Sequence, residues 1–257
     1  MDPQFPYLGE YERYAFPKPG SSPFEEESII AVGGNLSPGM LLSAYEQGLF
    51  PWYNPDDPIL WQSPDPRMVL FPDKLHIGTS MQRVFRKRCF EFALDRDFAG
   101  VIRGCAQMFR PDQEGTWITE DIITAYTELH RLGWAHSAES YQDGELVGGC
   151  YGIRLGRVFF GESMFAKRSN ASKAAFLTLA QGLFTDGVAF IDCQVYTNHL
   201  ASLGAQIMRR RAFLQLLTET LAPRRQLPYT GDAKAFYTQS DDMDRRGSWA
   251  EVNQDHR

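Results

Sequence analysis

Apolar residues recur every three or four positions in some stretches of the chain and every second position in others, and the switch between the two spacings separates helices from strands. SPGMLLSAYEQGLF has Ser37 at a cap position, Pro38 at the first helical position, Leu41, Leu42, Ala44 and Tyr45 on one apolar stripe and Gly48 as a stop, which predicts a helix. SMQRVFRKRCF is a basic amphipathic stretch, FEFAL reads as a strand, and FAGVIRGCAQMF repeats at three and four like a helix. Residues 119–132 predict another helix: Thr119 can cap it, Glu120 and Asp121 suit its positive end, Ile122, Tyr126 and Leu129 share a face, and Gly133 ends it. From about residue 135 the spacing changes. AHSAESYQ, ELVGGCYGIR and GRVFFGESMF predict an antiparallel meander with turns at Asp143-Gly144 and Leu155-Gly156. NASKAAFLTLAQGLF then predicts a helix from near Asn170, VAFIDCQV a strand and NHLASLGAQ a further helix. The first 70 residues, with YAFPKPG, LFPWYNPDDP and QSPDPR, are dense in Pro, Gly and aromatics and predict irregular packing around their one helix.

Three strands, a helix, a strand and a helix follow the acetyltransferase-like plan, in which a catalytic surface forms where neighbouring strands end. The expected fold class is therefore α+β: a small N-terminal α/β lobe over residues 1–70, an acetyltransferase-like (GNAT) domain with a mixed sheet over 71–228, and a loosely ordered polar tail over 229–257. A chain of 257 residues with 43% apolar and 23% charged content can bury an ordinary core. RVFFG and VAFID fall far short of the roughly 20 apolar residues that cross a bilayer, and no basic-then-apolar leader is visible, so a cytoplasmic location is expected. Cys89, Cys105, Cys150 and Cys193 form no CxxC pair, which argues against a zinc ribbon or a secreted disulfide framework.

The net charge of −6 argues against a nucleic-acid partner until its distribution is considered. Residues 1–65 carry 2 basic against 10 acidic side chains, residues 66–225 carry 20 against 16, and the remainder carries 4 against 6. The basic middle holds two clusters, Arg83, Arg86, Lys87 and Arg88, and Arg209, Arg210 and Arg211, both candidates for phosphate contact. A solvated face is the ordinary alternative for such runs.

Alternation along AFIDCQV sets Asp192 and Gln194 on one face and Ile191, Cys193 and Val195 on the other. An acid and an amide in so apolar a strand need partners or a ligand, and a satisfied structural pair is as common as a site. Alternation along VFFGESMF groups Glu162 with Phe160 and Met164, where burial would raise its pKa and suit it to proton transfer or to holding a ligand hydroxyl; a structural carboxylate is the alternative. Trp52 and Trp117 lie just outside regular elements, where an aromatic plane can stack on a nucleobase or pack a core. His130, His136 and His199 have no metal-ligand spacing, so no metal is expected, and GxSxG, P-loop and GxGxxG motifs are missing from the sequence.

The strings VGGNLSP, AYEQGLFPWY, DPILWQSPDPR, EGTWI, AYTELH, AHSAE, LVGGCYG, FFGESMF, NASK, FIDCQ and HLASLGA occur in this order. From about residue 30 to about 214 the chain thereby resembles the leucyl/phenylalanyl-tRNA-protein transferase family. The resemblance implies a cytoplasmic aminoacyltransferase that moves Leu or Phe, less often Met, from Leu-tRNA or Phe-tRNA to proteins with N-terminal Lys or Arg, marking them for degradation. It implies neither metal nor coenzyme. It makes Asp192 and Gln194 the catalytic pair and places Glu162 and Ser163 beside the bound aminoacyl-adenosine. Trp52 and Trp117 match the aromatics around the terminal adenosine, with Tyr126 near them, and Cys150, Phe176, Leu179 and Ile191 match the pocket for the aminoacyl side chain. Arg83, Arg86, Lys87 and Arg88 are the residues expected to meet the tRNA backbone. The chain departs from the family pattern at Gln62, Cys150, Ala166 and Met208, of which Cys150 bears on the implied amino-acid pocket. An acyl-CoA-dependent N-acetyltransferase is the rival on the same fold, and KRSNASK lacks the glycines of a pyrophosphate-binding turn.

Overall fold

The computed structural model describes residues 5–19, 28–108 and 116–221; the expected tail over 229–257 lies outside the described residues. Strand β1 (Ile29–Val32) is followed by helix α1 (Pro38–Glu46) and by the short strands β2 (Phe50–Pro51), β3 (Leu60–Gln62) and β4 (Arg67–Leu70). β3 pairs antiparallel with both β1 and β2 in a three-stranded sheet. Pro38 opens α1 as expected, but the Ser37 hydroxyl leaves the helix end alone and accepts from the Leu8 N–H at 3.1 Å, which ties the N-terminal segment to the helix.

Helix α2 (Thr79–Arg86), strand β5 (Glu91–Leu94) and helices α3 (Phe98–Ala106) and α4 (Glu120–Arg131) come next. Asp97 and Thr119 cap α3 and α4 by accepting from the Gly100 and Ile122 N–H groups. The meander is β6 (Ala135–Gln142), β7 (Glu145–Leu155) and β8 (Val158–Ala166). Its first turn holds Asp143 and Gly144 at φ 54° and 78°, the left-handed pair that a two-residue hairpin needs. Helix α5 (Ala171–Thr185), strand β9 (Phe190–Gln194), helix α6 (Asn198–Ala201), strand β10 (Gln206–Met208) and helix α7 (Arg210–Leu221) complete the elements.

Seven strands form the large sheet in the order β10-β4-β9-β8-β7-β6-β5, with β8 and β9 parallel and every other neighbour antiparallel. This is the expected mixed sheet. β4, assigned above to the N-terminal lobe, is hydrogen-bonded between β9 and β10 in this sheet. Both faces are covered. Tyr45 of α1, Ile102 of α3, Leu129 of α4 and Phe213 of α7 share one core with Ile153, Phe160 and Phe190; Leu177 and Leu183 of α5 and Phe85 of α2 share another with Cys150, Phe159 and Ile191. Double coverage explains why β6 is buried along nearly its whole length despite the polar residues in AHSAESYQ. β8 and β9 pair only where Val158, Phe159 and Phe160 meet Phe190, Ile191 and Asp192. Beyond that point β8 runs on to Ala166, β9 stops at Gln194, and the two strands part.

Candidate active site

The parting of β8 and β9 coincides with two breaks in the period of two on which strand alternation depends. Tyr151 pairs with Ser163 and Gly152 with Gly161, so Glu162 is the extra residue of a β-bulge, a device that re-aims a side chain. Phe160 and Phe165 consequently pack into one core while Met164 packs against the other, and the expected grouping of Glu162 with both Phe160 and Met164 is corrected on that account. The second break is at Gln194, whose φ of 61° puts a non-glycine residue in the left-handed region.

Glu162 accepts hydrogen bonds from the Tyr45 hydroxyl at 2.7 Å, the Tyr126 hydroxyl at 3.2 Å and the Gln194 Nε2 at 2.9 Å, and the two tyrosine hydroxyls are bonded to each other. Burial pushes the Glu162 carboxyl up to about 7; the three neutral donors oppose that rise, and the charge of Asp192 adds to it. Tyr45 and Tyr126 are held neutral, because burial and then the Glu162 charge raise both phenols well above their ordinary value. Tyr45 was legible only as part of an apolar stripe, yet a phenol within such a stripe needs a partner for its hydroxyl.

Asp192 stands differently. Its Oδ1 accepts from Arg67 Nε at 2.9 Å and its Oδ2 from Arg67 Nη2 at 2.7 Å, and both side chains are fully buried. Phe50 and Phe213 flank the guanidinium, with ring centroids 4.8 and 4.6 Å from Arg67 Cζ. Asp192 Oδ1 also accepts from the Gln194 N–H at 2.9 Å. The expectation that Asp192 and Gln194 open together onto a substrate is therefore corrected: Asp192 points into the core containing Phe50 and Phe213, and the left-handed turn sends the Gln194 side chain to Glu162 instead. Arg67 was missed. An arginine opening the apolar strand RMVL was the available signal, because a buried cation requires an anion.

A cavity of about 640 Å³ lies against the parted strands, within the usual size of a small-ligand site. Gly161, Glu162 and Gln194 line it beside Cys193, Val195 and His199. Phe50, Trp52 and Trp117 form an aromatic side, and Cys150, Met164, Phe176 and Leu179 an apolar one. Of the residues expected around an aminoacyl-adenosine, Trp52, Trp117, Cys150, Ser163, Phe176 and Leu179 lie on its walls. Tyr126 stands behind Glu162, joined to it through the hydroxyl, and Ile191 is sealed among the α5 side chains, so these two do not line the cavity. Cys193, which alternation set on the face away from the acid, does line it.

Met81 and Phe85 bury one side of α2, leaving Arg83 and Arg86 exposed at its end with Lys87 and Arg88 beyond it. The second arginine run is split: Arg210 is buried, donates from Nη1 to the Ser63 carbonyl at 2.6 Å and from its N–H to Asp65 at 3.1 Å, whereas Arg209 and Arg211 are exposed. Among the described residues no group of three or more His, Cys, Asp or Glu side chains is arranged to hold a metal, and no helix is long and apolar enough to cross a membrane.

Two family models match the chain: one described as leucyl/phenylalanyl-tRNA protein transferase over residues 69–218, and one described as the N-terminal domain of that transferase over residues 34–65. Curated relatives carrying the same transferase name include a protein of Saccharophagus degradans, 51% identical over 85% of this chain and 89% of its own length, and one of Syntrophus aciditrophicus, 54% identical over 76% and 82%. A Myxococcus xanthus relative is 49% identical over 86% of this chain and 94% of its own. Among solved structures, a GCN5-related N-acetyltransferase from Kribbella flavida aligns with TM-score 0.34 at 11% identity, covering 66% of this chain and 60% of that one. The L-PGS of Bacillus licheniformis aligns with TM-score 0.36 at 15% identity, covering 61% and 50%.

Proposed function

The chain belongs to the leucyl/phenylalanyl-tRNA-protein transferase family and is an aminoacyl-tRNA-dependent transferase, and from that premise we propose that it moves Leu or Phe, less often Met, from charged tRNA to proteins with N-terminal Lys or Arg, marking them for degradation in the cytoplasm. The observation that carries this reading is one cavity that joins an aromatic side, an apolar side and the Glu162–Gln194 pair. Trp52 and Trp117 offer planes for the terminal adenosine, a contact worth about 1 to 3 kcal/mol per stacked base. Cys150, Met164, Phe176 and Leu179 take the unbranched-at-Cβ aminoacyl side chain. Such walls select by shape, and one methylene is worth only about 1 to 3 kcal/mol, which accounts for tolerance among Leu, Phe and Met.

The ester is already activated, so positioning and proton handling are enough and no cofactor is required. The α-amine nitrogen of the acceptor attacks the ester carbonyl, the new C–N bond forms, and the C–O bond to the ribose breaks. The nitrogen loses a proton in this exchange and the ribose oxygen gains one. Glu162, poised near neutrality, accepts the amine proton, while the Gln194 carboxamide steadies the charge that develops beside it. Asp192 acts from behind Gln194 rather than on the amine, since Arg67 occupies both of its oxygens. Arg83, Arg86, Lys87 and Arg88 meet acceptor-stem phosphates through contacts that carry no sequence preference.

Incubation of the purified chain with a Lys-initiated peptide and either Phe-tRNA or Phe-CoA tests the reading. The peptide is expected to gain one phenylalanyl residue by mass with the tRNA and nothing with the thioester; gain from the thioester alone would replace this function with that of an acyl-CoA transferase.

A further inference from the structure

The residue that organises this centre lies outside the cavity walls, on β4. Gln194 occupies a left-handed backbone conformation that costs a non-glycine L-residue roughly 1 to 2 kcal/mol, so it persists only where neighbours impose it. The restraint is Asp192 Oδ1, which accepts the Gln194 N–H at 2.9 Å. A carboxylate on a single bond is free to rotate away from such a contact, but this one is fixed by a two-point grip from Arg67 Nε and Nη2, whose fork geometry allows one orientation of the acceptor plane. The guanidinium is itself flanked by the Phe50 and Phe213 rings. Phe50 also lines the cavity next to Trp52, so the same cation touches both the aromatic side and, through Asp192, the turn that presents Gln194.

We propose that Arg67 is a positioning residue for aminoacyl transfer: its grip on Asp192 fixes the left-handed turn at Gln194 and so aims the Gln194 carboxamide at Glu162 and the cavity. The proposal rests on the reading of Glu162 and Gln194 as the transfer centre. A simple structural role is the competing account, and a buried ion pair has the property that separates the two. Replacing both partners with apolar residues of similar volume is often neutral or stabilising, whereas removing one partner leaves a charge stranded. The double variant Arg67→Met with Asp192→Leu therefore restores packing without restoring the grip on the Gln194 N–H.

The test compares the parent chain, this double variant, Arg67→Lys and Gln194→Ala in Phe transfer from Phe-tRNA to an Arg-initiated peptide, below the melting temperature of each. A folded double variant is expected to lose kcat by roughly 100-fold, the cost of misplacing a reacting group by about 1 Å, with KM for Phe-tRNA within about twofold of the parent. Arg67→Lys keeps a charge but loses the fork and is expected to show the same split in weaker form; it decides the matter if the double variant does not fold. Parental kcat in a folded double variant, or in folded Arg67→Lys should the double variant fail, would overturn the proposal and leave the pair a purely structural one. Unimpaired Gln194→Ala would instead sink the assignment of the transfer centre itself, so the two failures are distinguishable.

Discussion

Two regions of the large sheet each bury an acid whose carboxyl is pushed up to about 7, and only one of them is built as a site. Glu162 sits in β8 just past its pairing with β9, and Glu139 in the middle of β6; in both, burial is the leading cause of the rise. Around Glu139, Ser137 Oγ donates to Oε1 at 2.5 Å, the charge of Asp95 adds to the rise, and Oε2 has no hydrogen-bond partner. Around Glu162, three side chains donate to the two oxygens, and the carboxyl faces a cavity. The strand pairing makes the difference. β6 is in register with β7 at Glu139, which stays buried within the covered sheet, while a bulge and a departing neighbour open the sheet at Glu162. A raised carboxyl is therefore a sign of burial; the opening beside it is what makes chemistry possible.

The largest test of this contrast is in turnover. Glu162→Gln keeps the shape of the side chain but cannot take a proton, and is expected to lower Phe transfer to a Lys-initiated peptide by about 100-fold or more, while Glu139→Gln stays within about twofold of the parent. Equal loss in both variants would erase the distinction between the regions.

Next in size is stability against pH. A carboxyl near 7 in the folded chain and 4.5 when unfolded favours folding fully below pH 4.5, and that contribution disappears as pH rises through 7. For sealed Glu139 the loss approaches about 3 kcal/mol, since each pH unit of difference is worth about 1.4 kcal/mol. Glu139→Gln, neutral throughout, is expected to melt progressively higher than the parent between pH 5 and pH 8 in a thermal scan. A gap that stays constant with pH would mean that Glu139 ionises in the fold as readily as in the unfolded chain.

A pair of glycines gives the finest probe. A Cβ at Gly161, beside Glu162, would meet only the Asp192 carbonyl oxygen at 3.6 Å, an ordinary contact, and Gly161 lines the cavity. A Cβ at Gly149, opposite Glu139, would strike the Ala138 carbonyl oxygen at 2.8 Å and Val101 Cγ2 at 2.9 Å. Gly161→Ala is expected to leave the denaturation midpoint in place and slow transfer by about tenfold, whereas Gly149→Ala costs about 1 to 3 kcal/mol of stability. A destabilised Gly161→Ala would show that the fold, and not an occupant of the cavity, asks for a glycine there.

The long elements with caps were legible: Thr119 at the start of α4, Pro38 at the start of α1 and the Asp143-Gly144 hairpin all follow from local chemistry. β1 to β4 were not, because strands of two to four residues show no period and the Pro-rich composition around them signals turns. Helix α7 was passed over for the arginine run that opens it, although Phe213 and Leu217 are buried one turn apart. At the site, counting by twos brought Asp192, Gln194 and Glu162 to notice but misplaced their faces, since a bulge and a left-handed residue each shift the count by one. The Arg67–Asp192 pair joins positions 125 residues apart and depends on which strands become neighbours, information that no local pattern carries.

The insertion of β4 between β9 and β10 has a consequence for biosynthesis. A nascent chain that has emerged only through α5 possesses Arg67, Glu162 and most of the cavity-lining aromatics, yet it lacks both strands that flank β4, the carboxylate that neutralises the guanidinium, and Gln194. Contacts of such long sequence separation form late. Translation must pass Gln194 before Arg67 meets its carboxylate, so a ribosome stalled earlier holds a polypeptide with no working centre.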